Sequence, residues 1–340
     1  MKAGSLLVAG WSLSMSLSML ACNATAPAPV TGGTGGATVG GTGGAPANVD
    51  GGGAGGAGVA DETLCGAVAL AVTRTVPAGK TLAICAGSTI TAAASDVSLT
   101  VQGTLLVQGT AQSPVKLIGA LGGTDDWGGV IIDAGGAVTA TYLELHNASI
   151  ALAARPGSSF AIDHLVIDSS DAMMILSSSG AIAHGTLRGL GSEQSSTPIL
   201  VSNASPHITD TSVTGGYYGG VDMIVVGGPA AAPVFDRLEV ADSHCAFHFE
   251  SGTGATISNS NLHHNAYGLM VIQSVAGHIV HNNFQDNQIN IGSCYGGAGA
   301  PSEVKDNYFA GGPFDDTCAQ LSVTGTTPAV PYATGVGPTP

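Results

Sequence analysis

The sequence predicts an all-β chain wound as a parallel β-solenoid, and three observations carry that reading. A pair of apolar residues five apart recurs eight times: Ala140/Leu145, Ile162/Ile167, Ile182/Leu187, Ile208/Val213, Phe235/Val240, Ile257/Leu262, Ile279/Phe284 and Val304/Phe309. Successive second members lie 22, 20, 26, 27, 22, 22 and 25 residues apart, a repeat too short for two packed helices and suited to one turn of short strands. Upstream of the pairs stand further strand-length apolar runs, such as Val130-Ile131-Ile132, Ile224-Val225-Val226 and Leu269-Met270-Val271-Ile272, bounded by Gly, Ser, Asn or Pro. No stretch keeps a 3.6-residue period, and the helix formers Lys, Glu and Arg are scarce.

Taken from the N-terminus, residues 1–22 read as an export signal: Lys2, an apolar stretch around Leu6-Leu7-Val8, then a small-residue exit. Met19-Leu20-Ala21-Cys22 is similar to a bacterial lipobox with Cys22 acylated, although Met19 and Leu20 depart from the usual residues; cleavage near Ala26 without lipidation is the alternative. Residues 23–60 hold Ala, Pro, Thr and 14 Gly, cannot bury a core, and read as a disordered tether spanning about 34 Å root-mean-square. Residues 61–126 are expected to form an N-terminal cap and two to three first rungs, residues 127–312 a core of about eight regular rungs, and residues 313–340 a C-terminal cap and tail.

Within each pair, odd spacing demands a bend, because alternate side chains of a strand face opposite ways. Two residues before the second members stand Leu143, Leu165, Gly185, Thr211, Leu238, Ser260, Asn282 and Asn307, an inward column that turns polar late and must hydrogen-bond along the stack. Beyond Cys22, five cysteines remain, and export makes disulfides plausible. Cys65–Cys85 would staple the first rung and Cys294–Cys318 the last. Cys245 is then left over as a buried apolar residue, with Cys245–Cys294 as the competing pairing.

The pair columns, together with Leu99-Thr100-Val101-Gln102-Gly103-Thr104-Leu105-Leu106-Val107 and Trp127-Gly128-Gly129-Val130, resemble the right-handed parallel β-helix family, the pectate-lyase-like solenoids of bacterial surface proteins. The resemblance covers roughly residues 66–312 and implies a single-stranded right-handed β-helix. It says little about activity, because this fold hosts many functions. Enzymes of the family use a Lys or Arg base beside a Ca²⁺-binding Asp cluster, or paired aspartates with Gly-His-Gly and Arg-Ile-Lys segments. Here Ala183-His184-Gly185 is a fragment of the latter, and Asp125-Asp126 and Asp315-Asp316 lie in Gly-rich loops at the margins.

Chemistry in a solenoid is sought in columns, since equivalent residues of successive turns lie about 4.8 Å apart. Asp242, His264 and Asp286 follow the second apolar position by two, and a histidine between carboxylates could serve as acid or help hold a metal. A polar turn column is the competing reading. His146, Asp168 and Arg188 follow it by one and form a second candidate column or a ladder of exposed charge. His248, on the Phe247-His248-Phe249 strand with Glu250 next, is expected outward between Val225 and Val271, in an apolar stripe for which cover by the tail, residues 313–340, is the favoured reading and an interaction surface the alternative.

Eight Lys plus Arg against 23 Asp plus Glu give a net charge of −15, which argues against nucleic acid and leaves the lipid as the expected membrane contact. The expectation is a non-enzymatic lipoprotein on the bacterial outer membrane or cell surface (or, unlipidated, a secreted protein). It would present a long face to a polysaccharide or surface partner, with oligomeric state open. The alternative is a polysaccharide lyase or glycoside hydrolase on a neutral or weakly charged glycan. No cofactor or metal motif is read; Ca²⁺ stays open without a motif to support it.

Overall fold

The computed structural model describes residues 60–189, 198–215, 221–250, 254–272, 276–293, 300–311, 314–315, 321–325 and 328–339. Among them every ladder between strands is parallel, in a 19-stranded and an 11-stranded sheet. The second sheet contributes one strand per turn, so the described chain makes eleven turns of a parallel β-helix. No helix occurs among the described residues, so none is long and apolar enough to cross a membrane.

The register follows the pair spacing. Leu145, Ile167, Leu187, Val213, Val240, Leu262, Phe284 and Phe309 align in one file. The file continues down through Leu117, Ile90 and Val68. All from Ile90 to Phe284 are buried, and each removes about 1.5–3 kcal/mol worth of apolar surface from water. The first members form a parallel file from Ala140 through Val304, continued by Val323 at the end.

The bend inside each pair sits two residues after the first member. Tyr142, His164, His184, Asp210, Arg237, Asn259, His281 and Asp306, eight turns in succession, all have φ between 48 and 59°. One left-handed residue breaks the period-two alternation and lets both members face inward, which explains the odd spacing. The inward residue after the bend is buried in all eight of those turns, and the late ones are polar. Leu238 N–H donates to Ser260 Oγ at 3.0 Å, Ser260 N–H to Asn282 Oδ1 at 2.9 Å, and Asn282 N–H to Asn307 Oδ1 at 2.9 Å. Asn282 Nδ2 and Asn307 Nδ2 donate to the carbonyls of Ile257 and Ile279 at 3.0 and 2.7 Å. A second ladder, absent from the sequence reading, stands at the next corner. There Ser243 N–H donates to Asn265 Oδ1 at 3.1 Å and Asn265 N–H to Asn287 Oδ1 at 3.0 Å.

At the N-terminal end a disulfide joins Cys65 to Cys85 across successive turns, closing a 20-residue separation. Cys294 and Cys318 lie outside the described residues, as do residues 1–59 with Cys22. Cys245 is free and buried.

The tail does not do what the sequence suggested. Its residues Phe314–Asp315 and Leu321–Thr324 add a strand to each sheet, and residues 332–339 run back along the left-handed column and not over the stripe outside the second sheet. The Tyr332 hydroxyl donates to Asp306 O at 2.6 Å, its N–H donates to Asn283 Oδ1 at 2.9 Å, and its ring lies 3.8 Å from His281. Gly337 N–H donates to Asn259 O at 2.8 Å, and Thr339 Oγ1 donates to Asp210 Oδ1 at 2.6 Å. Gly337 has φ 82°, and a Cβ there would stand 2.5 Å from Asn261 Nδ2, so this close approach needs glycine. The polar groups of the column offer the extended tail partners that the apolar stripe lacks.

Candidate functional site

The leading sequence candidates are placed in a turn. Asp242, His264 and Asp286 have φ of 62, 55 and 53°, and Asn147, Ser169, Gly215 and Gly311 hold the equivalent place in other turns. Each ends a strand in the left-handed conformation that Asn, Asp, His and Gly tolerate best. His264 Nε2 is 3.9 Å from Asp286 Oδ2, with side chains 60% and 71% exposed, and the nearer partner of His264 is the His263 ring at 2.8 Å. Two exposed side chains at that separation do not make a held acid–carboxylate pair.

The second candidate column also resolves differently. Strand register sets His146 beside Asp168, but His146 Nε2 lies 3.3 Å from Glu144 Oε2. Glu144 also pairs with Lys116 at 3.0 Å. Burial works to raise the Glu144 carboxyl, and these two partners outweigh it and hold it below its usual range. Among the described residues no ion pair joins Asp168 to His146 or to Arg188.

The left-handed column between the paired strands carries a ladder that the sequence reading did not single out. Tyr142, His164 and His184 stack ring on ring, with centroids 4.0 and 4.8 Å apart. Asp163 lies beside them, 2.7 Å from His184 Nδ1 and 3.1 Å from His164 Nδ1. Higher up, Arg237 donates from Nε and Nη2 to the two oxygens of Asp210 at 2.8 and 2.7 Å, and also bonds Asp236. The tail seals this upper half. The Arg237 bonds first, then those from Thr339, hold the Asp210 carboxyl well below the usual carboxylate range.

Outside the second sheet, register puts Thr100, Ile131, Ala153, Ile175, Leu200, Val225, His248 and Met270 in one outward file. His248 therefore neighbours Met270 rather than Val271, whose side chain points inward. Two residues further on in each turn stands a corner file: Gln102, Asp133, Arg155, Ser177 and, higher, Glu250. Near its base lies a groove of about 550 Å³ that includes Gln102, Asp133, Arg155 and Pro156, next to one of about 240 Å³ floored by Ile131, Ala153 and Ile175. Asp133 accepts from Arg155 Nη1 at 2.6 Å and from Gln102 Nε2 at 3.3 Å. Glu250 is exposed at the far end of the same file and makes no described contact with His248.

His248 belongs to a different group. Asp222 accepts from His244 Nδ1 at 2.8 Å through Oδ1 and from His248 Nδ1 through Oδ2. The Cys245 sulfur lies 3.4 Å from the same His244 nitrogen. Burial works to raise the Asp222 carboxyl, but bonds from His248, Cys245 and His244 pull it down to about 2. Burial, then the Asp222 charge, push the Cys245 thiol up. A nucleophile–base–carboxylate relay needs thiol and carboxylate on opposite ring nitrogens. Here both meet Nδ1, so His244 cannot relay a proton between them. Sequence signals for this group existed in the clustered histidines and the odd cysteine. Asp222, one turn below in space and 22 residues away in the chain, gave none.

No protein-family model matches the chain, and no curated protein is similar to it. Among solved structures it is similar to endopolygalacturonase I from Stereum purpureum complexed with two galacturonate, at 14% identity over 78% of this chain and 96% of that one, with a TM-score of 0.35. At that identity and superposition the likeness carries nothing about activity.

Proposed function

We propose that this is a non-catalytic, surface-anchored β-helix that binds a neutral or weakly charged polysaccharide along the outer face of its second sheet. The observation that carries the reading is the pairing of two files on that face. An apolar file of Ile131, Ala153, Ile175 and Leu200 runs beside a hydrogen-bonding file of Gln102, Asp133, Arg155 and Ser177. Sugar rings present both an apolar face and hydroxyl edges, and a chain of them lies well in a shallow groove of that composition. The net charge of −15 argues against a polyanionic chain. Acylation of Cys22, outer-membrane placement and the tether complete the proposal, and they rest on the sequence.

The competing reading is a lyase or hydrolase, favoured by the facing Asp133 and Arg155 in a groove. One observation supports the binding reading over it. Asp133 and Arg155 neutralise one another at 2.6 Å. The test is a glycan array followed by calorimetry, with reducing-end and unsaturated-product assays on every bound glycan. We expect binding without turnover, and Arg155→Ala and Ile175→Ser each to weaken it at least tenfold while His264→Ala leaves it unchanged. Turnover lost in Arg155→Ala would establish the enzyme. Undiminished binding in both groove variants would move the site elsewhere.

A further inference from the structure

The Asp222 group has a donor set that neither the fold nor glycan binding requires. Three different ligand atoms, a carboxylate oxygen of Asp222, Nδ1 of His244 and Sγ of Cys245, all lie within 4.8 Å of one another. They sit on adjacent turns, where register pairs Asp222 with Cys245. His248 holds the second oxygen of the same carboxylate, as an outer partner does for a metal-bound one. Cys245 is fully buried while His244 is about one-third exposed, so the group is rigid on one side and open to solvent on the other.

We propose that Asp222, His244 and Cys245 form a binding site for a borderline divalent transition-metal ion such as Zn²⁺. Tetrahedral zinc, bonded at about 2.0–2.3 Å, takes sulfur, imidazole and carboxylate together. Thiolate and imidazole disfavour Ca²⁺ and Mg²⁺, which need several oxygens. On binding, the Cys245 S–H bond breaks, its proton leaves to solvent, and the thiolate electron pair forms the bond to the metal. His244 coordinates through Nδ1 with its proton on Nε2. Three protein ligands leave a fourth position on the solvent side, where water binds. The Asp163–His164–His184 group is the comparison within the same molecule: it also offers three ligand atoms, but with no sulfur and on more exposed side chains.

Cobalt is the probe, because thiolate coordination to Co²⁺ gives a near-ultraviolet charge-transfer band that histidine and carboxylate alone do not. Co²⁺ is titrated into the metal-free, full-length mature chain, with proton release and melting temperature followed in parallel. We expect one equivalent with a sulfur-to-cobalt band, release of about one proton, displacement by Zn²⁺ and a higher melting temperature. Cys245→Ala should abolish the band, and His244→Ala and Asp222→Asn should each weaken binding at least tenfold. If Cys245→Ala does not fold, His244→Ala, which leaves the buried thiol in place, reads the same band. Binding without the band, binding lost in a His164→Ala/His184→Ala variant but kept in Cys245→Ala, or no binding at micromolar Co²⁺ would each overturn the proposal.

Discussion

At the scale of the residue, one position decides most of the cross-section. The side chain in the left-handed bend points along the stack, so its chemistry is displayed in a file whether or not it has a function. Asp210 shows the consequence. It binds both donors of Arg237 and receives Thr339 of the tail, and its carboxyl is 7% exposed. Its folded proton affinity lies below the unfolded value, so its stabilisation is fully present above about pH 4 and is lost as pH falls through the folded value. Asp210→Asn should therefore cost about 2–3 kcal/mol at neutral pH. In urea unfolding across pH 2–7, wild type should lose more stability on acidification than the variant; parallel curves would show that Asp210 contributes nothing through its charge. The same bend geometry explains why the Asp242–His264–Asp286 file looked like chemistry in the sequence: left-handed turns select polar residues that also happen to be catalytic types.

Among elements, the two asparagine ladders tie the upper turns together beside the apolar files. Asn282 is wholly buried, gives its N–H and Nδ2 to Asn307 and Nδ2 to Ile257 O, and accepts from Ser260. Replacing it breaks side-chain bonds to both neighbouring turns and strands Ser260 N–H and Ile257 O in the lower one. Asn282→Leu should destabilise by roughly 2–4 kcal/mol, from two or more unsatisfied buried groups at about 1–3 kcal/mol each. The loss should concentrate in the turn of Ile257 and Ser260, at the Ser260 amide proton first, as read by hydrogen exchange. Unchanged protection there would mean that water replaces the side chain at no cost. The first ladder was legible in the sequence because its column turns polar in step with the repeat. The second, Ser243, Asn265 and Asn287, keeps the same 22-residue spacing, but it lies just past the strand ends, where polar residues are expected in any case and give no sign of being buried.

For the whole molecule, a stack of turns is held by neighbours, so its ends are its weak points. The Cys65–Cys85 bond locks the first turn to the second, and the tail reaches down over four turns from Asp306 to Asp210. The address of the protein is set outside this stack. Mass spectrometry of the mature N-terminus should find Cys22 diacylated and the protein in the detergent phase. A free N-terminus at Pro27 in the aqueous phase would make it a secreted protein.

The sequence by itself determined the class of fold, the inward files and the place of the bends. All of these follow from local periodicity: the repeat writes apolar residues at each buried position and polar or glycine residues at each turn. What the tertiary structure decided is which residues of different turns meet. Uneven loops shift the count between turns, so no spacing announces that Asp222 reaches His244 and His248, that Arg237 reaches back to Asp210, or that the tail lies on the bends instead of the stripe. The contacts between turns join residues 22 to 27 apart through stacking at one strand spacing, the tail contact joins residues 129 apart by folding back over the coil, and both are properties of the coil, not of any segment within it.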